Sequence, residues 1–352
     1  MPTVSEWWNG VWDKIQHDPA ILPTYYPILG SNSDKDKGES FKGESHYFTV
    51  RVNRIFLQYG RQFWNNVVPM ALVVSEFKYK GENTVVPFVV GESLLQNGKI
   101  NIPASFLFAN TKVAGTHPYK GGGLKLTVIL YQVQRTNLVT NLLDVVEKFT
   151  SVLDFSQALS SYLKIASVVV DIVDGLIHQQ GTQPLIGLRQ EFDAGDGFGP
   201  GYFALIDSRN IQVPQNKLWV RNDDLHFGDS AETAKEFRQA NYILYRIQQA
   251  RTRDDAEQLS PIYELWQKVK TEATDTRPDN WEITKAVMST LYQQMVTSPD
   301  LTEDHANQLN DDFVARMERI HDRAVGNVKQ GREAEPAALS RSKRKALDIL
   351  KM

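Results

Sequence analysis

The chain has 352 residues, 41% of them hydrophobic, and a formal net charge of −3. This length allows two domains, and the small net charge provides no overall field that would attract nucleic acid. The sequence contains no cysteine, which excludes disulfides, zinc–thiolate sites and thiol chemistry and favours a reducing compartment.

The N-terminal part is predicted to be a short amphipathic helix. Residues 3–17 place Trp7, Trp8 and Trp12 at helical spacing,. This acidic, Trp-rich beginning does not resemble a secretory leader, so a cytoplasmic location is expected. We expect the tryptophans to dock on the body of the protein, and contact with a partner or a membrane is the alternative. The helix and a polar linker together make up residues 1–36.

The next part of the chain is typical of short β-strands. Apolar runs, several of them alternating with polar residues and bounded by turn residues, predict eight strands. They lie at 48–52, 67–79, 84–90, 105–113, 124–134, 185–192, 202–206 and 217–227. This number of short strands predicts an antiparallel β-sandwich over residues 37–230. The Gly121–Gly123 run is predicted to be a turn or bulge ahead of a strand.

A helical pattern interrupts these strands at residues 137–180. Its apolar residues form two stripes, and Asp154 and Ser156 stand between them. This pattern predicts an αα-hairpin inserted between two sandwich strands. Charged residues such as Asp144 and Asp171 punctuate both arms, so we expect the hairpin to pack on the sheet, with membrane insertion as the alternative.

From about residue 231 the sequence becomes charged and helical. Single apolar stripes predict a helical domain at 231–330, and Tyr263 and Trp266 lie in its first helix,. Residues 331–352 are predicted to be a basic tail. Its densest basic run is Lys343, Arg344 and Lys345. The predicted fold class is therefore α+β, an antiparallel sandwich with a helical insertion and a C-terminal helical region.

No motif for catalysis, metal binding or nucleotide binding has the required spacing. The glycine-rich run 193–201 lacks both GxGxxG and the GK[ST] ending of a phosphate loop,. Ala204 stands where an EF-hand loop needs Glu,. Glu318 and His321 form one Glu-x-x-His motif, whereas a di-iron bundle needs two. We therefore predict no catalytic residue, no metal and no cofactor.

Several stretches together resemble an uncharacterised bacterial protein family. They are residues 110–130 (NTKVAGTHPYKGGGLKLTVIL), the helical pattern that follows, 201–207 (GYFALID), 217–221 (KLWVR) and 263–266 (YELW). The resemblance implies a C2-like sandwich with a helical insertion, in proteins that accompany caspase-like or CHAT proteases in bacterial defence loci. It implies no catalytic residues, and the acidic cluster of calcium-binding C2 domains is not evident.

These features predict a non-enzymatic protein-interaction component of a bacterial antiviral defence system, acting as regulator, scaffold or substrate of a caspase-like or CHAT protease. The expected interaction residues are Trp7, Trp8, Trp12, Tyr263, Trp266, Lys343, Arg344 and Lys345. A nucleic-acid partner is not expected. Two alternatives stay open: a membrane-binding or membrane-disrupting effector that uses the hairpin or the Trp helix, and an enzyme with a dispersed site.

Overall fold

A computed structural model describes most of the chain. The described residues are 3–18, 21–33, 38–57, 67–90, 111–134, 136–145 without 138, 140 and 143, 159–193, 198–209, 211–277 and 279–349. Side chains are described as far as residue 326, except at 67, 68, 161 and 165. The chain divides into two units, Met1–Arg253 and Asp254–Met352.

The first unit contains two α-helices and twelve strands whose bounds are described, besides helical residues between 137 and 145. The helices are α1 (Val4–Ile15) and α2 (Leu159–Ile177). The strands are β1 (Thr24–Pro27), β2 (Tyr47–Phe56), β3 (Val67–Tyr79), β4 (Glu82–Val90), β5 (Thr111–Pro118), β6 (Leu124–Gln134), β7 (Gln183–Phe192), β8 (Gly201–Ile206), β9 (Leu218–Arg221), β10 (Asp224–Phe227), β11 (Lys235–Glu236) and β12 (Tyr242–Ala250).

These strands form three antiparallel sheets. The five-stranded sheet has the order β1-β8-β12-β2-β5, the four-stranded sheet β4-β3-β6-β7, and the three-stranded sheet β11-β10-β9. One hydrophobic cluster is lined by both larger sheets, with Val50 and Ile247 from one and Val73 and Leu126 from the other. This is the layering of a β-sandwich. The predicted antiparallel α+β class is confirmed, and the C2-like assignment stays a prediction.

The four-stranded sheet is apolar on its opposite face as well. Leu72 and Val74 of β3 and Ile129 of β6 belong to a second cluster, which contains the apolar faces of α1 and α2. A sheet that is apolar on both faces needs a packed layer on each. α1 and α2 supply the second layer, and the apolar stripe of α2 explains why this segment folds as a helix against the sheet.

The predicted helical insertion lies between β6 and β7, which are neighbours in the four-stranded sheet. α2 is its second arm. The described positions between 137 and 145 include helical residues, and the Thr136 hydroxyl accepts a hydrogen bond from the backbone N–H of Val139 (3.2 Å). The predicted turn of the hairpin, within 146–158, lies outside the described residues.

Two indole hydrogen bonds fix α1 on this layer. The helix begins with a capping box in which Thr3 and Glu6 bond each other's backbone N–H groups,. Nε1–H of Trp7 donates to Oδ1 of Asp174 in α2 (2.8 Å), and Nε1–H of Trp8 donates to Oε1 of Glu76 in β3 (3.0 Å). The expected docking of the tryptophans on the body of the protein is therefore what the structure shows.

The predicted strand 217–227 is in fact two strands. β9 and β10 pair antiparallel across a two-residue turn, in which Asn222 and Asp223 have φ of 50° and 66°. Asn and Asp tolerate this left-handed backbone, so they form a tight hairpin turn without glycine. Of the predicted strand 105–113, residues 105–110 lie outside the described residues and 111–113 belong to β5.

The largest difference from the sequence prediction is β12. It lies in the region predicted to be helical from residue 231, yet it is the middle strand of the five-stranded sheet, between β8 and β2. Its residues Ile243, Tyr245 and Ile247 alternate into the sandwich core. The division between the units therefore follows Arg253 rather than residue 230. The predicted linker within 1–36 also contributes a strand, β1, to this sheet.

The second unit is helical, as predicted. It contains α3 (Ile262–Ala273), α4 (Asn280–Val296) and α5 (Glu303–Ile349). Trp266 of α3 is buried and stacks on Phe313 of α5, with ring centroids 4.3 Å apart, and the guanidinium of Arg316 lies 4.9 Å from the Trp266 ring. The predicted tail at 331–352 is helical backbone as far as Ile349, as part of α5.

Adjacent valines of α2 test the packing of this helix. Val169 is fully buried, whereas Val168 is 42% exposed. Val169→Asp should lower the free energy of unfolding by several kcal/mol, about 3–5, because it buries an unpaired carboxylate. Val168→Asp, the matched control, should change it by less than about 0.5 kcal/mol. Urea denaturation measures both, and equal effects at the two positions would contradict the described orientation of α2.

The indole bond of Trp8 can be tested separately from its apolar contacts. Trp8→Phe keeps an aromatic ring but removes the donor to Glu76, so we expect a loss of about 1–3 kcal/mol in unfolding free energy. Trp12→Phe is the control, because Trp12 packs in the same apolar cluster. The double variant Trp8→Phe with Glu76→Gln separates the contribution of the hydrogen bond from that of the apolar contacts. If Trp8→Phe costs no more than Trp12→Phe, the hydrogen bond does not hold the helix.

Candidate functional site

Four of the five predicted interaction residues whose side chains are described lie in the interior of their own unit. Trp7, Trp8 and Trp12 are buried in the layer of α1 and α2, and Trp266 is buried in the helical unit. Their burial follows from the apolar stripes of the helices that carry them. Tyr263 differs from these, because it is 50% exposed. The backbone at Lys343, Arg344 and Lys345 belongs to α5, and their side chains lie outside the described residues.

The Glu-x-x-His motif and the two glycine-rich runs make contacts that support the fold. The ring of His321 stacks on Trp281 (4.1 Å), and its Nδ1 lies 3.3 Å from the carbonyl oxygen of Ala273. Phe198, in the glycine-rich run, stacks on Phe41 (4.8 Å), whereas 194–197 lie outside the described residues. Gly121 and Gly122 have positive φ in the turn between β5 and β6, which agrees with the predicted turn.

Within the described ranges, no group of three His, Cys, Asp or Glu side chains is arranged to hold a metal ion. Over the same residues, no helix has the length and apolarity needed to cross a bilayer.

His46 lies among polar groups of the loop before β2. Its Nδ1 accepts a hydrogen bond from the backbone N–H of Lys42 (2.9 Å), so the ring proton lies on Nε2, which faces Oε1 of Glu39 at 3.4 Å. Burial lowers the pKa of His46, and Glu39 opposes this effect. Glu39 also binds Arg251 (2.7 Å). Both ring nitrogens are therefore engaged in holding the loop before β2, which is unlike a histidine ready to accept a substrate proton.

The outer face of the five-stranded sheet has two different halves. The apolar half, which includes Phe56, Tyr242 and Leu244, is covered by the three-stranded sheet in a separate hydrophobic cluster. The other half carries polar side chains from three neighbouring strands. These are Thr49 and Arg51 of β2, Lys112 and Thr116 of β5, and Arg246 and Gln248 of β12.

Three of these polar residues form a row of cations across the sheet. Arg246 pairs directly with Arg51, and Arg51 pairs directly with Lys112. Directly paired residues of antiparallel strands point to the same face, with Cβ atoms about 5 Å apart. All three side chains are partly exposed. We name Arg246, Arg51 and Lys112 the cationic row.

Several polar groups hold the cationic row in place. Nε–H of Arg51 donates to Oε1 of Gln248 (2.8 Å), and the guanidinium of Arg246 lies 5.2 Å from the ring centroid of Tyr202. Burial and the neighbouring Arg246 lower the pKa of Arg51, whereas Asp223 opposes this shift. Asp223, at the tip of the β9–β10 hairpin, accepts hydrogen bonds from Tyr202 (2.5 Å) and Asn53 (3.2 Å). Arginine held in this way can bind a carboxylate or phosphate in two-point geometry.

His117 is a buried histidine of the first unit. It lies on β5 between Phe77 and Phe48, with centroid separations of 5.0 and 5.7 Å. Its Nε2 has no hydrogen-bond partner among the described residues. Burial, together with the charges of Arg253 and Lys112, lowers the pKa of His117 to about 3. The neutral ring acts as an aromatic core residue.

Sequence reasoning missed the cationic row. The alternation of Phe48, Val50 and Val52 already placed Arg51 on the outer face of β2, but Arg246 stood in a segment that was predicted to be helical. Arg51 and Arg246 are 195 positions apart in the sequence and become neighbours only because β2 pairs with β12. No spacing along the chain reports such a pairing.

Comparison with family models, curated proteins and solved structures finds no match for this chain.

The buried His117 makes the stability depend on pH. Because its pKa is about 3 in the folded chain and near 6.5 when unfolded, the unfolded state binds the extra proton as pH falls below about 6.5. The contribution of His117 to the unfolding free energy should thus decrease by about 2 kcal/mol between pH 7 and pH 5. His117→Phe should remove this dependence. Urea denaturation of both proteins measures it, and equal losses in parent and variant would refute the assignment.

Proposed function

We propose that the chain is a non-enzymatic protein-interaction component that acts in the cytoplasm. The observation that carries this proposal is the set of large apolar side chains exposed on the helical unit. Among the described residues, eight large apolar side chains are exposed, and four of them lie in this unit. They are Tyr263, Ile283, Tyr292 and Val296. Exposed aromatic and aliphatic residues are typical of protein–protein contacts.

Two of these side chains form a defined surface. Tyr292 and Val296 are four residues apart on α4, so they are neighbours on one face of the helix. The hydroxyl of Tyr292 donates to Oδ1 of Asn307 in α5 (2.9 Å). This bond holds the Tyr292 ring in one orientation. Less conformational entropy is therefore lost when a partner covers the ring. We call Tyr292 and Val296 the α4 pair.

The resemblance to a bacterial family with a helical insertion supports a more specific role. In that role the chain is a regulator, scaffold or substrate of a caspase-like or CHAT protease in a bacterial defence system. The α4 pair would contact the protease or another component of the system. The burial of Trp7, Trp8 and Trp12 favours this protein-binding role over a membrane role for the N-terminal helix, because these side chains already pack inside the unit.

The proposal is tested with purified proteins. The full-length chain is mixed with a candidate caspase-like or CHAT protease from the same genome, and binding is measured by calorimetry and by co-elution. Tyr292→Ala with Val296→Ala should weaken binding at least about tenfold, because exposed aromatic anchors contribute most at such contacts. Gln293→Ala with Gln294→Ala is the matched control, because both glutamines are exposed on the same helix.

The thermal melting temperature of both double variants should stay near that of the parent chain. Binding that is absent in the parent, or equal in all three proteins, would overturn the proposal. Turnover of a substrate by the isolated chain would favour the enzyme alternative instead.

A further inference from the structure

α5 is much longer than the two helices that pack against it. It has 47 residues, whereas α3 has 12 and α4 has 17. Because a helix rises by about 1.5 Å per residue, α5 is about 70 Å long and α4 is about 25 Å long. Less than half of α5 can therefore run alongside either of them.

The contacts of His321 mark where the two shorter helices stop. Trp281, near the start of α4, stacks on His321, whereas Tyr292, near the end of α4, bonds Asn307. α4 thus runs antiparallel to α5 and begins level with His321. α3 ends at the same level, because the carbonyl oxygen of its last residue, Ala273, lies 3.3 Å from Nδ1 of His321. α5 therefore continues beyond the ends of both helices.

The far part of this continuation, residues 337–349, has an apolar side and a basic side. Its backbone is helical, so residues three, four and seven positions apart share a side. One side takes the apolar residues Leu339, Ala346, Leu347 and Ile349. The opposite side takes the basic residues Arg341, Arg344 and Lys345. Lys343 is placed with the apolar residues, and a lysine can keep its stem along apolar groups with its ammonium in water.

Acidic residues of the segment do not balance its basic residues. Residues 337–347 contain four basic residues and no acidic one. Ion pairs along a helix form between residues three or four positions apart. Neither Arg341 nor Lys343 has an acidic residue at those distances, and the acidic residue nearest to Lys343 in the sequence is Asp348, five positions away. The segment therefore carries an excess of positive charge.

We propose that segment 337–349 binds the surface of a membrane that contains anionic lipid. A helix with one basic and one apolar side lies in the plane of the interface, where the basic side meets the headgroups. The segment is about 20 Å long, which is shorter than the roughly 30 Å hydrocarbon core, so it lies on the bilayer and does not cross it. This inference goes beyond the proposed function, because it would place the α4 pair at a membrane surface.

The segment fits a second copy of the chain or a nucleic acid less well. A coiled coil needs apolar heptads sustained over three or four repeats, whereas the apolar side from Leu339 to Ile349 spans less than two. Single-stranded nucleic acid needs aromatic rings on which bases stack, and the sequence after Phe313 contains no Phe, Tyr or Trp. An apolar side adds nothing to phosphate contacts, whereas it adds affinity at a lipid interface.

The test uses the full-length chain and flotation with two kinds of vesicle. One kind is pure phosphatidylcholine, and the other contains about 30% phosphatidylserine as its anionic lipid. The chain should float with the anionic vesicles at low salt and stay unbound with the neutral vesicles. Binding should weaken as salt rises, because salt screens the attraction between the basic side and the lipid.

Two double variants separate the contributions of the two sides of the segment. Arg341→Gln with Arg344→Gln should weaken binding to the anionic vesicles at least about tenfold, because both charges act on the anionic surface. Leu339→Gln with Ile349→Gln should weaken binding by a similar factor, because less apolar area enters the interface.

Arg319→Gln with Arg323→Gln is the charge-matched control, since both arginines are exposed on α5 ahead of the segment. This control should bind the vesicles as the parent does. The segment variants should keep the melting temperature of the parent, because the segment lies beyond the ends of α3 and α4. A marked fall in their melting temperature would assign these residues to packing within the folded chain and would overturn the inference.

Three further results would contradict the inference. They are no binding to the anionic vesicles at low salt, equal binding by the arginine variant and its control, and tighter binding of a short DNA duplex that depends on the same arginines. Flotation includes no protease, so its failure is distinguishable from failure of the proposed function, which is measured by binding of the protease to the α4 pair.

Discussion

Burial of both faces of the four-stranded sheet is the constraint on which the first unit depends. β6 and β7 are adjacent antiparallel strands, and a two-residue turn would be enough to join them. Their connection instead contains α2, because the outer face of the sheet needs an apolar layer. α1 completes that layer from the other end of the sequence. The helical insertion is thus part of the core rather than an appendage.

Polar groups decide how the second layer is seated. Glu76 lies on the outer face of the sheet and binds both Trp8 and Arg189, the latter at 2.7 Å. A carboxylate at the edge of an apolar layer needs such partners. In the observed position of α1, the Trp8 indole reaches Glu76 while the Trp7 indole reaches Asp174. Apolar area provides most of the stabilisation, and these bonds specify the position of the helix.

Sequence patterns predicted the elements that have long apolar patterns, including strands that are buried on both faces. β6 was predicted at its observed bounds, and the Trp helix and the insertion were placed correctly. β12 was missed because its alternation, Ile243, Tyr245 and Ile247, is short and lies close to charged segments, so the local signal was ambiguous. Val145 belongs to the first of the two apolar stripes predicted at 137–180, yet it is 38% exposed. The helical period of apolar residues identifies which face of a helix is buried. The width of that buried face depends on the element that packs against it.

The two units expose surfaces of different chemistry, and this difference bears on how a partner would bind. The α4 pair offers apolar area, which lowers the dissociation rate of a complex once water is excluded. The cationic row presents arginine and lysine side chains, whose charges are screened by salt over about a Debye length. The three-stranded sheet covers only the apolar half of the outer face of the five-stranded sheet. Its residues Leu218, Val220 and Leu225 pack against the apolar side chains of that half. Covering the polar half in the same way would bury arginines beneath apolar side chains, which costs several kcal/mol of desolvation per unpaired ion. The boundary between the covered half and the polar half therefore follows the change from apolar to charged side chains along this face.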